Sequence, residues 1–265
     1  MIACVLLTTP DRTEMNRRAI RSFREQTYDD AILVVCSTDT AMLNVLPPFE
    51  YGECFANIDT PKDTPLCTLM NLAMERALSL PTYGKKITHL AKWDSDDWSA
   101  PGRLADQMTT LERTGAWVTG YNSMPLYCES CRDCNGRGYG ETAQTICHRC
   151  NGSGHEVLIY SNPNSNYALG TSLLMKREAW EQFPFPDTTQ RKKSNPRGTG
   201  SDSLFVMHWA QRGRISGCSG IRNGVHPMMI AGVHSGNTSL NLARFGTKPA
   251  GDVLAANVRK IMGES

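Results

Sequence analysis

Trp93-Asp94-Ser95-Asp96-Asp97-Trp98 puts three carboxylates into four residues, directly after the apolar-leaning run Ile87-Thr88-His89-Leu90-Ala91. A strand that ends in clustered Asp at the carboxyl edge of a sheet is a common place for a divalent cation and a phosphorylated ligand. Carboxylate oxygens are hard donors suited to Mg²⁺ or Mn²⁺, and such sites usually leave positions open for substrate phosphates. The competing reading is a polar turn in which Asp97 or Ser99 caps a helix that begins near Pro101.

Outward from this stretch, strand and helix patterns alternate. Ile2 to Leu7 is a continuous apolar run of the kind a central buried strand shows, and Thr8-Thr9-Pro10-Asp11-Arg12 breaks it. Thr13 can cap a helix through about Gln26, with Met15, Ala19, Ile20 and Phe23 on one face. Ala31 to Cys36 is a second strand, ending in Ser37-Thr38-Asp39, so a parallel pair with a right-handed crossover is expected. Tyr51 to Ile58 reads as a third strand, and the turn from Thr60 to Pro65 precedes a helix carrying Leu66, Leu69, Met70, Ala73, Ala77 and Leu80. Ile87 to Trp93 is the fourth strand, and Leu104, Met108 and Leu111 follow at helical spacing. The alternation predicts a doubly wound α/β sheet with ligands at the carboxyl ends of its strands.

Composition sets limits on function. A chain of 265 residues that is 40% hydrophobic can bury a full core as one domain with an insertion. A net charge of +2 argues against a strongly basic nucleic-acid binder, so any polyanion contact must come from a local patch. No apolar run approaches the roughly 20 residues that span a bilayer, and no signal-peptide pattern opens the chain. No membrane insertion and a cytoplasmic location are therefore expected.

Of ten cysteines, Cys4, Cys36, Cys54, Cys67 and Cys218 are scattered and read as buried, reduced side chains. The rest cluster. Cys131-Arg132-Asp133-Cys134-Asn135-Gly136-Arg137-Gly138 and Cys147-His148-Arg149-Cys150-Asn151-Gly152-Ser153-Gly154 are two copies of one C-x-x-C-x-G-x-G pattern. Two such knuckles bring four thiolates together for tetrahedral Zn²⁺, the glycines permitting the tight turns. Cys128 is a fifth thiol that can compete through Cys131. Over this short hairpin alone, the sequence resembles the zinc-binding repeat of DnaJ-type co-chaperones. The zinc either folds a segment too small to have its own core or brings that segment to the substrate.

The ordered series of motifs resembles the family 2 glycosyltransferases of GT-A fold. It comprises the strand closed by Thr9-Pro10-Asp11-Arg12, the helix ending Ser22-Phe23-Arg24-Glu25-Gln26-Thr27-Tyr28, the strand Ile32 to Cys36 before Ser37-Thr38-Asp39, and Asp94-Ser95-Asp96-Asp97 before Pro101 and Leu104. It continues in Gly170-Thr171-Ser172-Leu173, Lys176-Arg177-Glu178-Ala179-Trp180 and Gly200-Ser201-Asp202. The resemblance covers most of the chain except roughly positions 121 to 165. It implies a Rossmann-like, doubly wound mixed sheet: a nucleotide-sugar half over 1–120, a zinc-binding insertion over 121–165, and an acceptor half with a C-terminal helix over 166–265.

The resemblance also implies roles. Asp94 matches the acid that contacts the nucleotide, and Asp96 the one that binds Mn²⁺ or Mg²⁺ bridging the donor diphosphate. Pro10, Arg12 and Asp39 match nucleoside contacts, although Cys36-Ser37-Thr38-Asp39 stands where the family more often has Asp-Asp-Gly-Ser. Asn71 stands where the family often has an Asn, its alternative being a helix-internal polar contact. Asp202 matches the general base, its alternative being a helix cap or first-turn acid favoured by the macrodipole. His234 resembles a late histidine that completes the metal site, with His226 competing. Inversion at the anomeric carbon follows from a single displacement of the nucleoside diphosphate of a nucleotide sugar, a UDP-sugar above all.

Between Thr188 and Gly200, Arg191, Lys192, Lys193 and Arg197 occur without one acid, just before Asp202. Such a run is either a solvated loop or a phosphate-binding element beside the acceptor. Together with a zinc insertion it suggests DNA as acceptor, with the sugar passing to a hydroxymethylated pyrimidine, as in phage-encoded enzymes of this kind. A base hydroxyl in a duplex is reached only through the major groove or by flipping, which calls for extra elements around the cleft. Two readings compete: transfer to a polysaccharide, lipid-linked or protein acceptor, and a zinc-dependent nucleic-acid or protein binding module on a degenerate scaffold.

Overall fold

The computed structural model describes residues 1–61, 63–82, 84–130, 135, 153–188, 200–234 and 247–263. Strands β1 (Ile2–Leu7), β2 (Ala31–Ser37), β3 (Glu53–Asn57) and β4 (His89–Lys92) run parallel in the order β3-β2-β1-β4. Ile2 of β1 pairs with Ala31 on one side and His89 on the other. The uninterrupted apolar character of β1 follows from burial on both faces: Ala3 and Val5 pack with Met70, Ala73, Met74 and Ala77 of helix α2 (Leu66–Leu78). Ile2, Cys4 and Leu6 pack on the opposite face with Ala19, Ile20 and Phe23 of α1 (Thr13–Arg24) and Leu104, Met108 and Leu111 of α3 (Arg103–Thr114).

This sheet is doubly wound, and its order reverses between β1 and β4. The crevice outside the carboxyl ends of those two strands is the expected ligand position in such a sheet. Thr8 to Arg12 leaves β1 there, and Trp93 to Asp97 leaves β4 there.

Beyond β4 the sheet becomes mixed. β8 (Leu174–Lys176) runs antiparallel to β4 and to β6 (Val118–Cys128), and β7 (Glu156–Ser161) runs antiparallel to β6. β9 (Ile215–Ser219) and β12 (Met229–Val233) lie parallel to successive parts of β6, and β5 (Trp98–Ser99) pairs antiparallel with β12. Residues 221–222 and 226–227 form a small hairpin of β10 (Ile221–Arg222) and β11 (His226–Pro227), and β13 (Lys248–Pro249) borders β7. Helix α4 (Arg177–Gln182) follows β8, and α5 (Ser201–Gln211) carries Phe205, Val206 and Trp209 into the core. The last helix, α6 (Asp252–Met262), buries Leu254, Ala255 and Val258 against Tyr127, Val157 and Ile230, so its apolar face is used within this fold.

Two local expectations change. Thr13 is the first helical residue of α1 and its hydroxyl donates back to the Pro10 carbonyl at 2.9 Å, because Pro10–Arg12 already forms a 3₁₀ turn in front of it. Neither Asp97 nor Ser99 caps α3: Gly102 stands at the cap, and both side chains are engaged elsewhere. Within 121–165, residues 121–128 continue β6 and residues 156–161 form β7, and their pairing of Cys128 with Glu156 joins the two sides of the cysteine-rich stretch.

Candidate active site

The acidic turn is held from below by Trp93, which is 1% exposed. Its indole N–H donates to the Ala19 carbonyl at 2.9 Å, Phe23 meets its ring edge-on, and the Arg103 guanidinium lies 4.6 Å above it. Buried Arg103 donates to the Lys92 carbonyl and to Ser99 Oγ, both at 2.8 Å, tying β4, β5 and α3 together. These bonds satisfy a guanidinium that burial would otherwise make costly.

Above this support, Asp97 Oδ1 accepts from the Gly232 N–H at 3.0 Å, and its Oδ2 meets the Thr171 hydroxyl. The same hydroxyl lies 2.7 Å from Asp94 Oδ2. Burial, reinforced by the charges of Asp96 and Asp94, holds the Asp97 carboxyl well above the usual carboxylate range. Burial also raises Asp94, against the opposing pull of Lys92. Gly232 is required by contact: a Cβ there would stand 2.2 Å from the Asp96 carbonyl oxygen.

Asp96 and His234 meet although 138 residues separate them, with Nε2 of the histidine 3.1 Å from Asp96 Oδ2. β12 makes this possible, since it pairs with both β5 and β6 and delivers the residue after Val233 to the acidic turn. Arg12 Nη1 lies 3.8 Å from Asp96 Oδ2 and donates to Ser95 Oγ at 3.2 Å, while Arg18 donates to the Asp96 carbonyl at 3.0 Å. Among the described residues, no group of three or more His, Cys, Asp or Glu side chains forms a complete metal cage. One carboxylate and one imidazole within 3.1 Å nevertheless fit a Mn²⁺ or Mg²⁺ that takes its remaining ligands from phosphate oxygens and water. His226, the competing histidine, is exposed in β11.

Asp202 stands in the first turn of α5, whose cap is Gly200 with no side-chain bond. Its Oδ2 accepts instead from Lys92 Nζ at 2.8 Å, and Lys92 also lies 3.5 Å from Asp94. The turn Gly170–Ser172 links the two halves. A Cβ at Gly170 would fall 2.3 Å from Asp202 Cβ, Thr171 bridges Asp94 and Asp97, and Ser172 donates to the Leu169 carbonyl while accepting from the Tyr121 N–H. Lys92, Thr171 and Gly232 carry no signal that reading the acidic motif alone reveals. Lys92 sits within a strand read for its apolar neighbours, and the other two act from 74 or more residues away.

The remaining expected site residues divide into four groups. Pro10 opens the 3₁₀ turn that presents Arg12, so both stand at the crevice. Asp39 caps the short 3₁₀ helix 40–44, accepting from the Ala41 N–H at 2.8 Å. Asn71 uses its whole amide on α4 and the loop after it: Oδ1 accepts from the Phe185 N–H and from Trp180 Nε1, and Nδ2 donates to the Phe185 carbonyl. These contacts tie α2 to α4 and are not internal to the helix. Cys131, Cys134, Cys147 and Cys150, and the cations Arg191, Lys192, Lys193 and Arg197, lie outside the described residues.

A sheet of order β3-β2-β1-β4 continued by β8, antiparallel to β4, and then by β6, antiparallel to β8, with an acidic turn at the reversal, is a mixed α/β architecture of the GT-A kind. Among solved structures, S. aureus TarS 1–349 shares it, with a TM-score of 0.52 at 16% identity, over 88% of this chain and 60% of that one. The same protein in complex with UDP-GlcNAc gives a TM-score of 0.53 at 14% identity over 89% and 60% of the two chains. The longer S. aureus TarS structure gives 0.53 at 16% identity over 99% and 42%. The chain thus spans no more than 60% of these neighbours, and at such identity the likeness establishes the fold. No protein-family model matches the sequence, and a search of curated proteins finds no match.

Proposed function

We propose that this chain is an inverting, metal-dependent glycosyltransferase that moves a sugar from a nucleotide sugar to a hydroxyl acceptor. The observation that carries the reading is the convergence of Asp94, Asp96 and His234 with Asp202, through Lys92 and the Gly170–Ser172 turn, at one sheet edge. A UDP-sugar is the favoured donor, supported by the UDP-GlcNAc and UDP complexes of the structural neighbours. In this reading Asp94 and Arg12 bind the nucleotide, with Pro10 and Asp39 shaping the nucleoside's surroundings.

Asp96 and His234 would hold Mn²⁺ or Mg²⁺, whose charge supplies neutralisation of the diphosphate leaving group. Asp202 accepts the proton of the acceptor hydroxyl as its oxygen bonds to the anomeric carbon and the bond to the diphosphate breaks. A single displacement inverts that carbon.

For the acceptor, we favour a hydroxymethylated pyrimidine in DNA, on the strength of Arg191, Lys192, Lys193 and Arg197 immediately before Asp202 and of the doubled C-x-x-C-x-G-x-G pattern, read as a zinc-holding element. The test is mass spectrometry of nucleosides digested from hydroxymethylcytosine DNA after incubation with the protein, Mn²⁺ and a panel of nucleotide sugars. A hexose or pentose mass on the base is the expected result. Nucleotide release with unmodified DNA would replace DNA by a glycan, lipid-linked or protein acceptor. No release, in protein shown to contain zinc, would favour a binding module.

A further inference from the structure

We propose that Lys92 is a positioning residue that holds Asp202 against the cleft from beneath the donor site. The inference rests on the transferase reading above and concerns a side chain to which the sequence motifs assign no part.

The geometry is specific. Lys92 is the last residue of β4, 5% exposed, and its ammonium lies 2.8 Å from Asp202 Oδ2 and 3.5 Å from Asp94 Oδ2. A lysine placed there must desolvate its charge, which a fold tolerates only with charged partners in reach. Burial alone would pull its pKa down, but Asp202 and Asp94 outweigh that pull and raise it, so the group stays an ammonium across the working range of pH. The carboxylates it joins come from the two halves of the proposed reaction, Asp94 on the nucleotide side and Asp202 on the acceptor side.

Two consequences follow for the transfer step. The bond to Lys92 occupies Oδ2 of Asp202, which leaves Oδ1 as the oxygen that takes the acceptor's proton in this proposal. A Cβ at Gly170 would fall 2.3 Å from the Asp202 Cβ and 2.7 Å from its Oδ2, so Gly170 and the Lys92 ammonium together confine the carboxylate. When the acceptor's proton moves to Asp202, the carboxylate loses its charge and Lys92 keeps its own. One positive charge is thereby uncovered in the site as the departing diphosphate becomes more negative. Lys92 neither gains nor loses a proton.

The experiment compares Lys92→Met, Lys92→Arg, Asp202→Asn and Lys92→Met/Asp202→Asn by UDP affinity and by turnover of the nucleotide sugar that wild type uses. The expected result is a kcat lowered about 10²-fold in Lys92→Met with UDP affinity kept within about threefold, and partial recovery in Lys92→Arg. Lys92→Met/Asp202→Asn should be no slower than Asp202→Asn, a comparison that stands even where Lys92→Met alone folds poorly. An unchanged kcat, a parallel loss of UDP affinity, or a full further loss on top of Asp202→Asn would overturn the role while leaving the transferase reading intact. Wild-type protein that turns over no nucleotide sugar would sink that reading and this role with it.

Discussion

At the scale of single residues, the site depends on close approaches that only the smallest side chain permits. Gly232 is the sharpest case. Its N–H serves Asp97, and the space its missing Cβ would fill is already taken by the Asp96 carbonyl, 2.2 Å away. Backbone cannot yield there as a flexible side chain would, so Gly232→Ala must push β12 or the acidic turn aside. We expect a loss of about 1 to 3 kcal/mol in urea denaturation, the usual cost of overpacking, together with weaker UDP binding in Mn²⁺. A variant with wild-type stability and affinity would show that the two segments do not press together as described. The same logic explains what single-residue reading missed. Asp94, Asp96 and Asp97 are visible as a motif, but Thr171, Lys92 and Gly232 acquire meaning only from partners remote in sequence.

At the scale of elements, β1 and β2 were legible because burial on both faces demands uninterrupted apolar runs. The same burial has a chemical signature. The Cys4 thiol of β1 and the Cys36 thiol of β2 are fully buried, and loss of hydration pushes each up to about 12. Below about pH 9 both folded and unfolded chains keep these protons, and the thiols' contribution to stability is full. As the pH rises from there toward 12, the unfolded chain sheds protons that the native chain retains, so stability falls. Denaturation midpoints taken from pH 8 to 10.5 should decline, and less steeply in Cys4→Ala/Cys36→Ala; equal slopes would contradict the burial argument. Elements without such a pattern were harder to read. β5 has two residues and β12 five, and their pairing, which carries His234 to Asp96, is set by tertiary register that no local periodicity encodes. The C-terminal helix carries Leu254, Ala255 and Val258 on one face, and only Tyr127, Val157 and Ile230 opposite it decide where that face goes.

At the scale of the whole molecule, the parallel half forms the crevice outside β1 and β4, and the mixed half brings Asp202 to Lys92 at its edge. In the function proposed above, a divalent cation, a nucleotide and a proton acceptor act there on one sugar. The measurement that tests this most directly is turnover of nucleotide sugars in Mn²⁺, with UDP binding followed in parallel, for wild type, His234→Ala and Asp202→Asn. The account predicts that His234→Ala loses Mn²⁺-dependent UDP affinity. It predicts that Asp202→Asn binds UDP like wild type but turns over about 10² to 10⁴ times more slowly, the range lost with a general base. Full turnover in Asp202→Asn, or UDP binding indifferent to both Mn²⁺ and His234, would contradict it.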